Sequence, residues 1–339
     1  MHSTRSRGHG WLVTLVWLYL LVVLGSLCLL YGAGDRWWPA TILLFSPRWL
    51  FAAPLLVLAP LVIRRRSFFL LIPLISAAVV VFGPLMGVQL HRSASSSAPQ
   101  GQVLRVLTYN VYGGRFDNQQ FTQLLQELVV DLVALQECPE DLPLTVPDGW
   151  HGIRKRGLAL FSRYPLDFVT LVQVKQPHER WPGSHLLHAE VHTPAGPIAL
   201  CSIHLPSPRF GLQAVLDKHT LLRPSRKQLL EQQTKARWLA ATEVQKYLSG
   251  IALPLLVVGD FNTPPESRLL RDVWGDYHNA FSETGFGYGL TQRVSVRGLP
   301  FGARIDHVLT RNGLKPLLCV VGPDMGSDHL PLIADVSTP

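Results

Sequence analysis

The chain has 339 residues, 47% of them hydrophobic and 16% charged, with 31 Lys and Arg against 23 Asp and Glu for a net charge of +8. That balance suggests a nucleic-acid binder, but its distribution excludes the inference from charge alone. Residues 1–101 hold eight Arg against the single acid Asp35, which leaves 23 basic and 22 acidic residues in 102–339.

The first third reads as membrane. Residues 11–33 are uncharged and rich in Leu, Val and Trp, long enough to cross ~30 Å of hydrocarbon as a helix. A second span is expected over 45–63, with a short apolar stretch at 49–63 and Pro47 and Arg48 at its interfacial edge. A third is expected over 68–90, between Arg64, Arg65 and Arg66 on one side and His91 and Arg92 on the other. The first span is too long for a cleavable signal peptide and lacks a small-residue exit. Arg5 and Arg7 precede it, the Arg triplet follows the second span, and the intervening loop has only Arg36 offset by Asp35. The positive-inside rule then places the N-terminus and the triplet in the cytoplasm. Three crossings put everything after residue 91 outside.

Residues 92–102 are Ser, Ala, Pro, Gln and Gly without apolar periodicity after the leading Arg92, a flexible tether. The domain over 103–339 is long enough for one sizeable core. Val103–Val111 reads as a strand, and Phe121, Leu124, Leu125 and Leu128 fall at helical spacing. Leu132–Gln136 and Gly157–Ser162 read as strands. His185–His192 and Pro197–His204 form a hairpin around a Thr-Pro-Ala-Gly turn. Leu229, Leu230, Ala236, Ala240, Val244 and Leu248 make one face of a long helix. Strands are expected at Leu253–Val258, Ile305–Thr310, Leu317–Val321 and Leu330–Val336. Many strands and few helices over one core imply an α/β architecture of two packed sheets with helices outside. Cys28, Cys138, Cys201 and Cys319 have no metal-ligand spacing and read as small buried apolar residues.

Polar groups recur where these strands end. Glu137 closes a buried strand, where a carboxylate is costly unless it is paired or bound to a cation. Mg²⁺ takes one or two carboxylates together with water and substrate phosphate, so Glu137 suffices as the main ligand. Asn110 ends the first strand and would orient that Glu or touch metal or phosphate. In Gly259-Asp260-Phe261-Asn262 the glycine permits a sharp turn, and Asp260 and Asn262 face one side at two-residue spacing. Such a carboxylate and amide hold an attacking water and a phosphoryl oxygen together. His329, in Gly326-Ser327-Asp328-His329, with Asp306 to orient it, is the standard device for proton work or transition-state hydrogen bonding. Asp328 would reach the metal. His204 is a second imidazole at a strand end, whereas strand alternation turns His307 to the other face.

The ordered set Asn110, Glu137, His204, Asp260 with Asn262, Asp306, and Asp328 with His329 resembles the endonuclease/exonuclease/phosphatase superfamily over nearly all of 103–336. That group includes deoxyribonuclease I-like nucleases, abasic-site endonucleases, inositol-polyphosphate phosphatases and neutral sphingomyelinases, and the multi-span N-terminus resembles its membrane-anchored bacterial members. The resemblance implies a four-layered α/β sandwich and Mg²⁺- or Mn²⁺-dependent phosphoester hydrolysis. It makes Glu137 the chief metal ligand with Asn110 and Asp328 nearby. Asp260 would position or deprotonate water and Asn262 hold the phosphate. His329, oriented by Asp306, would activate water or stabilise the phosphorane, and His204 would assist at the leaving group or phosphate; either imidazole fits the acid or the base.

Nucleic acid is the first expected substrate, with local basic spots at Arg154, Lys155, Arg156 and at Arg223, Arg226, Lys227; a domain charge near zero argues against duplex binding. The alternative is a lipid or inositol-type phosphoester, favoured by a short tether to the bilayer and by Arg180-Trp181-Pro182 as an interfacial element. The bilayer is the expected partner and no protein partner is predicted. A pseudo-enzyme that only binds would be expected to have lost an acid or a histidine, and none is lost.

Overall fold

A computed structural model describes residues 10–91, 101–175, 184–217, 224–296 and 299–339. Arg5, Arg7, most of the 92–102 tether, Arg180-Trp181-Pro182 and Arg223 lie outside the described residues. The chain divides into two compact units, residues 1–88 with 266–268, and residues 89–265 with 269–339.

In the smaller unit, Gly10–Gly32 and Phe68–Leu85 are helices long and apolar enough to cross a membrane. Leu12, Val16 and Val23 of the first share an apolar cluster with Leu74, Ala77 and Val81 of the last. The span expected over 45–63 falls in a bent pair of helices, Trp38–Leu44 and Arg48–Arg64, 86° apart, which together are long and apolar enough for one crossing if they act as a single broken span. Pro47 sits at the break; it has no N–H to donate and drives the residue before it out of the helical region. The expected span over 68–90 stops at Leu85, because Gly83 leaves helical dihedrals beside Pro84 and Gly87 has φ +76°.

The larger unit is built on two six-stranded sheets. Its strands and main helices are β1 (Val103–Asn110), α1 (Asn118–Glu127), β2 (Leu132–Cys138), β3 (His151–Lys155), β4 (Gly157–Ser162), β5 (Leu166–Val172), β6 (Leu186–Thr193), β7 (Gly196–His204), α2 (Arg209–Leu216), α3 (Pro224–Leu248), β8 (Leu255–Asp260), β9 (His278–Asn279), β10 (Gln292–Val296), β11 (Leu299–Ala303), β12 (Asp306–Arg311), β13 (Lys315–Val321) and β14 (Leu332–Ser337). One sheet has the order β9-β12-β8-β7-β6-β5 and the other β13-β14-β1-β2-β4-β3, while β10 and β11 form a separate ribbon. Each sheet holds one parallel pair, β7 with β8 and β1 with β2. Parallel neighbours need a crossover, which α2 and α3 supply in the first case and α1 in the second.

Strand alternation divides the apolar side chains among three interfaces. Leu104, Val106, Leu132 and Ala134 meet Leu200, Leu256, Val258 and Val308 between the sheets. The opposite face of the second sheet, with Leu107, Tyr109, Val133 and Leu135, takes Phe121, Leu124 and Leu125 of α1. The outer face of the first sheet, with Ala199, Cys201, Ile203, Leu255 and Val257, takes Ala240, Ala241, Val244 and Leu248 of α3. The result is a four-layered α/β sandwich. Helix α1 starts where the Asp117 carboxylate accepts the N–H groups of Gln119 and Gln120, two of the donors that a helix N-terminus leaves unpaired. All four cysteines are free, and Cys138, Cys201 and Cys319 are buried.

Candidate active site

The inward positions change from apolar to polar at one end of the sandwich. Along β7 they read Leu200, Ser202, His204; along β8, Leu256, Val258, Asp260; along β1, Val106, Thr108, Asn110. Register aligns the row, since His204 pairs with Asp260 across the parallel ladder and Asp260 with Asp306 across the antiparallel one. Paired residues on adjacent strands project to the same face, so an imidazole and two carboxylates stand side by side. Beneath them Gln136 donates to Thr108 Oγ1 and to Ser202 Oγ, each at 3.1 Å, which ties the two sheets together with buried polar groups.

The Asn110 amide joins the acids: Nδ2 donates to Glu137 Oε1 and to Asp260 Oδ2, both at 3.1 Å. Its Oδ1 accepts the Tyr112 N–H at 3.0 Å, so in this structure Asn110 orients carboxylates from one edge of the site. Asp260 Oδ1 accepts the Asn262 N–H at 2.8 Å, and Asn262 Nδ2 donates to the Leu205 carbonyl at 2.8 Å. His329 Nδ1 lies 2.8 Å from Asp306 Oδ2. Its Nε2 is 3.8 Å from Asp260 Oδ2, and His204 Nε2 is 3.5 Å from the same oxygen and 3.8 Å from Glu137 Oε1. Asp328 stands at the rim, 3.8 Å from the Arg209 guanidinium. All eight predicted site residues thus fall in one region. His307 lies on the opposite face, its Nε2 donating to the Thr263 carbonyl at 2.8 Å.

The site includes strained backbone. Tyr112, Glu137 and Asn262 have φ of +45°, +50° and +47°, conformations that side-chain-bearing residues adopt only when their surroundings hold them. At Glu137 the register between β2 and β4 shifts, a bulge that brings a residue due to face α1 into the site beside its neighbour Gln136. Gly259 has φ +139°, and a Cβ there would stand 2.1 Å from the Ile203 carbonyl oxygen; only glycine lets β7 and β8 close at Asp260.

The two imidazoles are driven apart in charge. Burial lowers His329, but the charge and hydrogen bond of Asp306, with Asp260 and Asp328 adding to them, outweigh it and push the group up to about 10. Burial, aided by the His329 charge, holds His204 down to about 3. Burial and then the Asp306 charge push the Asp260 carboxyl well above the ordinary carboxylate range. His329 is a cation near neutral pH and His204 a neutral donor or acceptor.

Asp260, Asp306 and His329 form a compact acidic and imidazole cluster with ligating atoms within 4.8 Å of one another. Its Asp306–His329 hydrogen bond and cationic imidazole suit proton handling. Glu137 and Asp328, which both border the adjoining cavity, are carboxylates outside that cluster that could serve a hard dication. Asp328 Oδ1 is buried without a hydrogen-bond partner, and burial, with the Glu137 charge adding to it, raises its carboxyl against the opposing charges of His329 and Arg209. An oxygen-seeking cation would relieve both penalties.

Several contributors carry no signal in a single sequence. Gln292 forms an isolated bridge with His329 and sets Nε2 3.5 Å from the imidazole Nε2. Thr291 Oγ1 accepts the N–H groups of Ile305 and Asp306, each at 3.2 Å. Ser327 Oγ donates to the Asn110 carbonyl at 2.8 Å. Of the two basic spots, Arg154 and Lys155 lie over the rings of Phe161 and Phe168.

Residues 107–329 match the sequence profile of the Endonuclease/Exonuclease/phosphatase family. The chain belongs to the endonuclease/exonuclease/phosphatase family. No curated protein matches it. Among solved structures, a variant of the 3′ phosphatase NExo from Neisseria, bound to a product DNA hairpin, is 18% identical over 68% of this chain and 98% of its own, with a TM-score of 0.50. D. rerio TDP2 complexed with single-strand DNA product is 14% identical over 70% of this chain and 100% of its own, with a TM-score of 0.49. An endonuclease/exonuclease/phosphatase from Beutenbergia cavernae is 18% identical over 70% and 72%, with a TM-score of 0.47. At these identities the likeness is one of fold. Membership makes the chain a phosphoester hydrolase of a metal-dependent family.

Proposed function

We propose that this protein is a membrane-anchored phosphoesterase that uses Mg²⁺ or Mn²⁺ and attacks phosphorus with water. The observation that carries the reading is the aligned row His204, Asp260, Asp306, with His329 held 2.8 Å from Asp306 and Glu137 facing it from the other sheet. Glu137 and Asp328 would hold the cation, with Asn110 fixing the Glu137 carboxylate. The bound cation supplies Lewis-acid polarisation of the phosphoryl oxygen and a template for water and ester. Asp260, made more basic by burial, accepts a proton from the water while Asn262 and its own N–H contacts keep the carboxylate aimed. As the water oxygen bonds to phosphorus, the bond to the ester oxygen breaks. The His329 imidazolium donates a hydrogen bond from Nε2 to charge building on the phosphoryl oxygens, and neutral His204 hydrogen-bonds the phosphate or the departing oxygen.

The anchor comprises the two spanning helices, with the bent pair between them as a third crossing. Arg64, Arg65 and Arg66 at the end of the bent pair support a cytoplasmic loop there, which sets the catalytic domain outside. A reporter fused after Pro339 that is active only outside the cell is expected; activity only inside overturns that orientation.

The test of the chemistry is hydrolysis of bis(nitrophenyl) phosphate, with plasmid nicking alongside, by full-length protein in detergent with Mg²⁺, Mn²⁺ or chelator. Metal-dependent turnover that is lost in Glu137→Ala and His329→Ala supports the site. Turnover in chelator, or full activity in either variant, overturns it. Nucleic acid, the first-expected substrate, and lipid phosphoesters both meet this chemistry, and nicking separates them.

A further inference from the structure

The site opens into a cavity of about 760 Å³ whose two sides differ in chemistry. Glu137, Asp260, Asn262, Asp328 and His329 line one side; α2 and the first turns of α3 line the other with Phe210, Leu229, Ala236 and Leu239. Phe210 is 69% exposed and Leu239 44%. Helix α3 already buries Leu230, Thr234, Arg237, Ala240, Ala241 and Val244 against the domain. A helix with one core face is expected to be polar elsewhere, yet α3 also turns Leu229, Ala236 and Leu239 to the cavity, interleaved with Gln232, Gln233 and Lys235. The wall is built and held: a Cβ on Gly211 would stand 2.7 Å from Leu230 Cα, and the Gly211 N–H donates to Gln233 Oε1 at 2.7 Å, so α2 lies tight on α3. Besides the His329 imidazolium of the site itself, Arg209 and Lys235 are the lining residues with a cationic side chain among the described ones, and Arg209 is already beside Asp328. Tracking a polyphosphate backbone requires more positive charge than that.

We propose that the α2–α3 wall is a subsite for the apolar chain of the substrate, so that the enzyme takes amphiphilic phosphoesters, with the headgroup phosphate at Glu137 and His329 and the hydrocarbon along Phe210, Leu229, Ala236 and Leu239. The proposal rests on the phosphoesterase reading above. The same chain carries two bilayer-length apolar helices, and only residues 86–102 separate Leu85 from Val103. A tether that short raises the effective concentration of membrane-borne substrate at the domain.

The experiment uses full-length protein in amphipol and a series of nitrophenyl alkyl phosphates, methyl to octyl, below their micellar concentrations. Binding is read by calorimetry and hydrolysis by nitrophenolate release with Mn²⁺. A methylene removed from water gains roughly fourfold, so the octyl ester is expected to bind and react more than about tenfold better than the methyl ester. That ratio should collapse toward one in a Phe210→Ser, Leu239→Gln double variant, both positions being exposed. Equal affinities across the series in the unmodified protein overturn the subsite. So does an oligothymidylate that binds more tightly than the octyl ester and loses affinity in the double variant, which would make the wall a base-stacking platform. Chain-length-dependent binding without turnover of any ester supports the subsite and sinks the phosphoesterase reading instead.

Discussion

The interior between the two sheets and its polar end are made by the same strands, often two residues apart, and they do opposite work. Leu256 and Val258 are fully buried among aliphatic neighbours, while Asp260, the next inward position of β8, is as deeply buried beside a second carboxylate and two imidazoles. The first region stabilises by removing apolar area from water. The second keeps charge where solvent cannot screen it, at a cost that the first must offset. A site of this kind needs a complete sandwich beneath it, which is why strained backbone at Tyr112, Glu137 and Asn262 is tolerated at its edge.

The largest expected effect lies in the polar end. His329→Ala should lower kcat/KM by about 10²–10⁴-fold, the range of a positioned proton donor or base. Asp306→Asn should fall in the same range, because its Oδ2 acts through His329. The double variant should be no worse than the worse single one. Additive losses, measured with one phosphodiester at saturating metal, would show that Asp306 has its own role and break the pairing. The apolar region predicts the reverse pattern. Leu256→Ala should cost about 2–5 kcal/mol of stability, seen as a lower melting temperature, with kcat per folded molecule unchanged. A kcat loss without a stability loss would mean that the two regions are not separable.

How much of this was legible follows from where each signal resides. Asp260 and Asn262, Glu137, and Asp328 with His329 sit at the ends of apolar runs, so a polar residue where a strand stops is visible locally. The row that unites His204, Asp260 and Asp306 depends on registers across three strands, but the strand ends alone suggested their convergence. Gln292 and Thr291 were invisible because their roles arise from contacts with residues 14 to 37 positions away. Strands β3 and β5 are half-exposed and carry Arg, Lys, Asp and Thr among their apolar residues, so alternation is weak there. Helix α2 follows Pro206 and Pro208, and its apolar positions read as loop until α3 is in place. The helix break at Pro47 was written in the sequence as a proline, yet hydropathy alone runs across it.

The smallest effect compares two histidines in neighbouring environments. His307 and His329 are both buried, but His307 projects to the outer face beside Phe261 at a ring distance of 5.3 Å, with Asn279 and the Thr263 carbonyl as partners. Burial, then the Arg304 charge, holds it down to about 4, whereas the charge and hydrogen bond of Asp306 outweigh burial and lift His329 to about 10. The unfolded chain protonates a histidine near 6.5. Below that pH the unfolded state binds a proton at position 307 that the folded state refuses until about 4, so this contribution to stability is intact above 6.5 and lost as pH falls from 6.5 to 4. His329 behaves oppositely: its contribution is complete below 6.5 and lost as pH rises toward 10. Between pH 6.5 and 5.5 the His307 contribution alone should fall by on the order of 1 kcal/mol. Melting temperatures of the unmodified protein and of His307→Gln across that interval measure it, with the variant expected to lose less stability per pH unit. Parallel curves would mean that the imidazole on the outer face titrates as it does in water, and the contrast between the two faces of β12 would then rest on His329 alone.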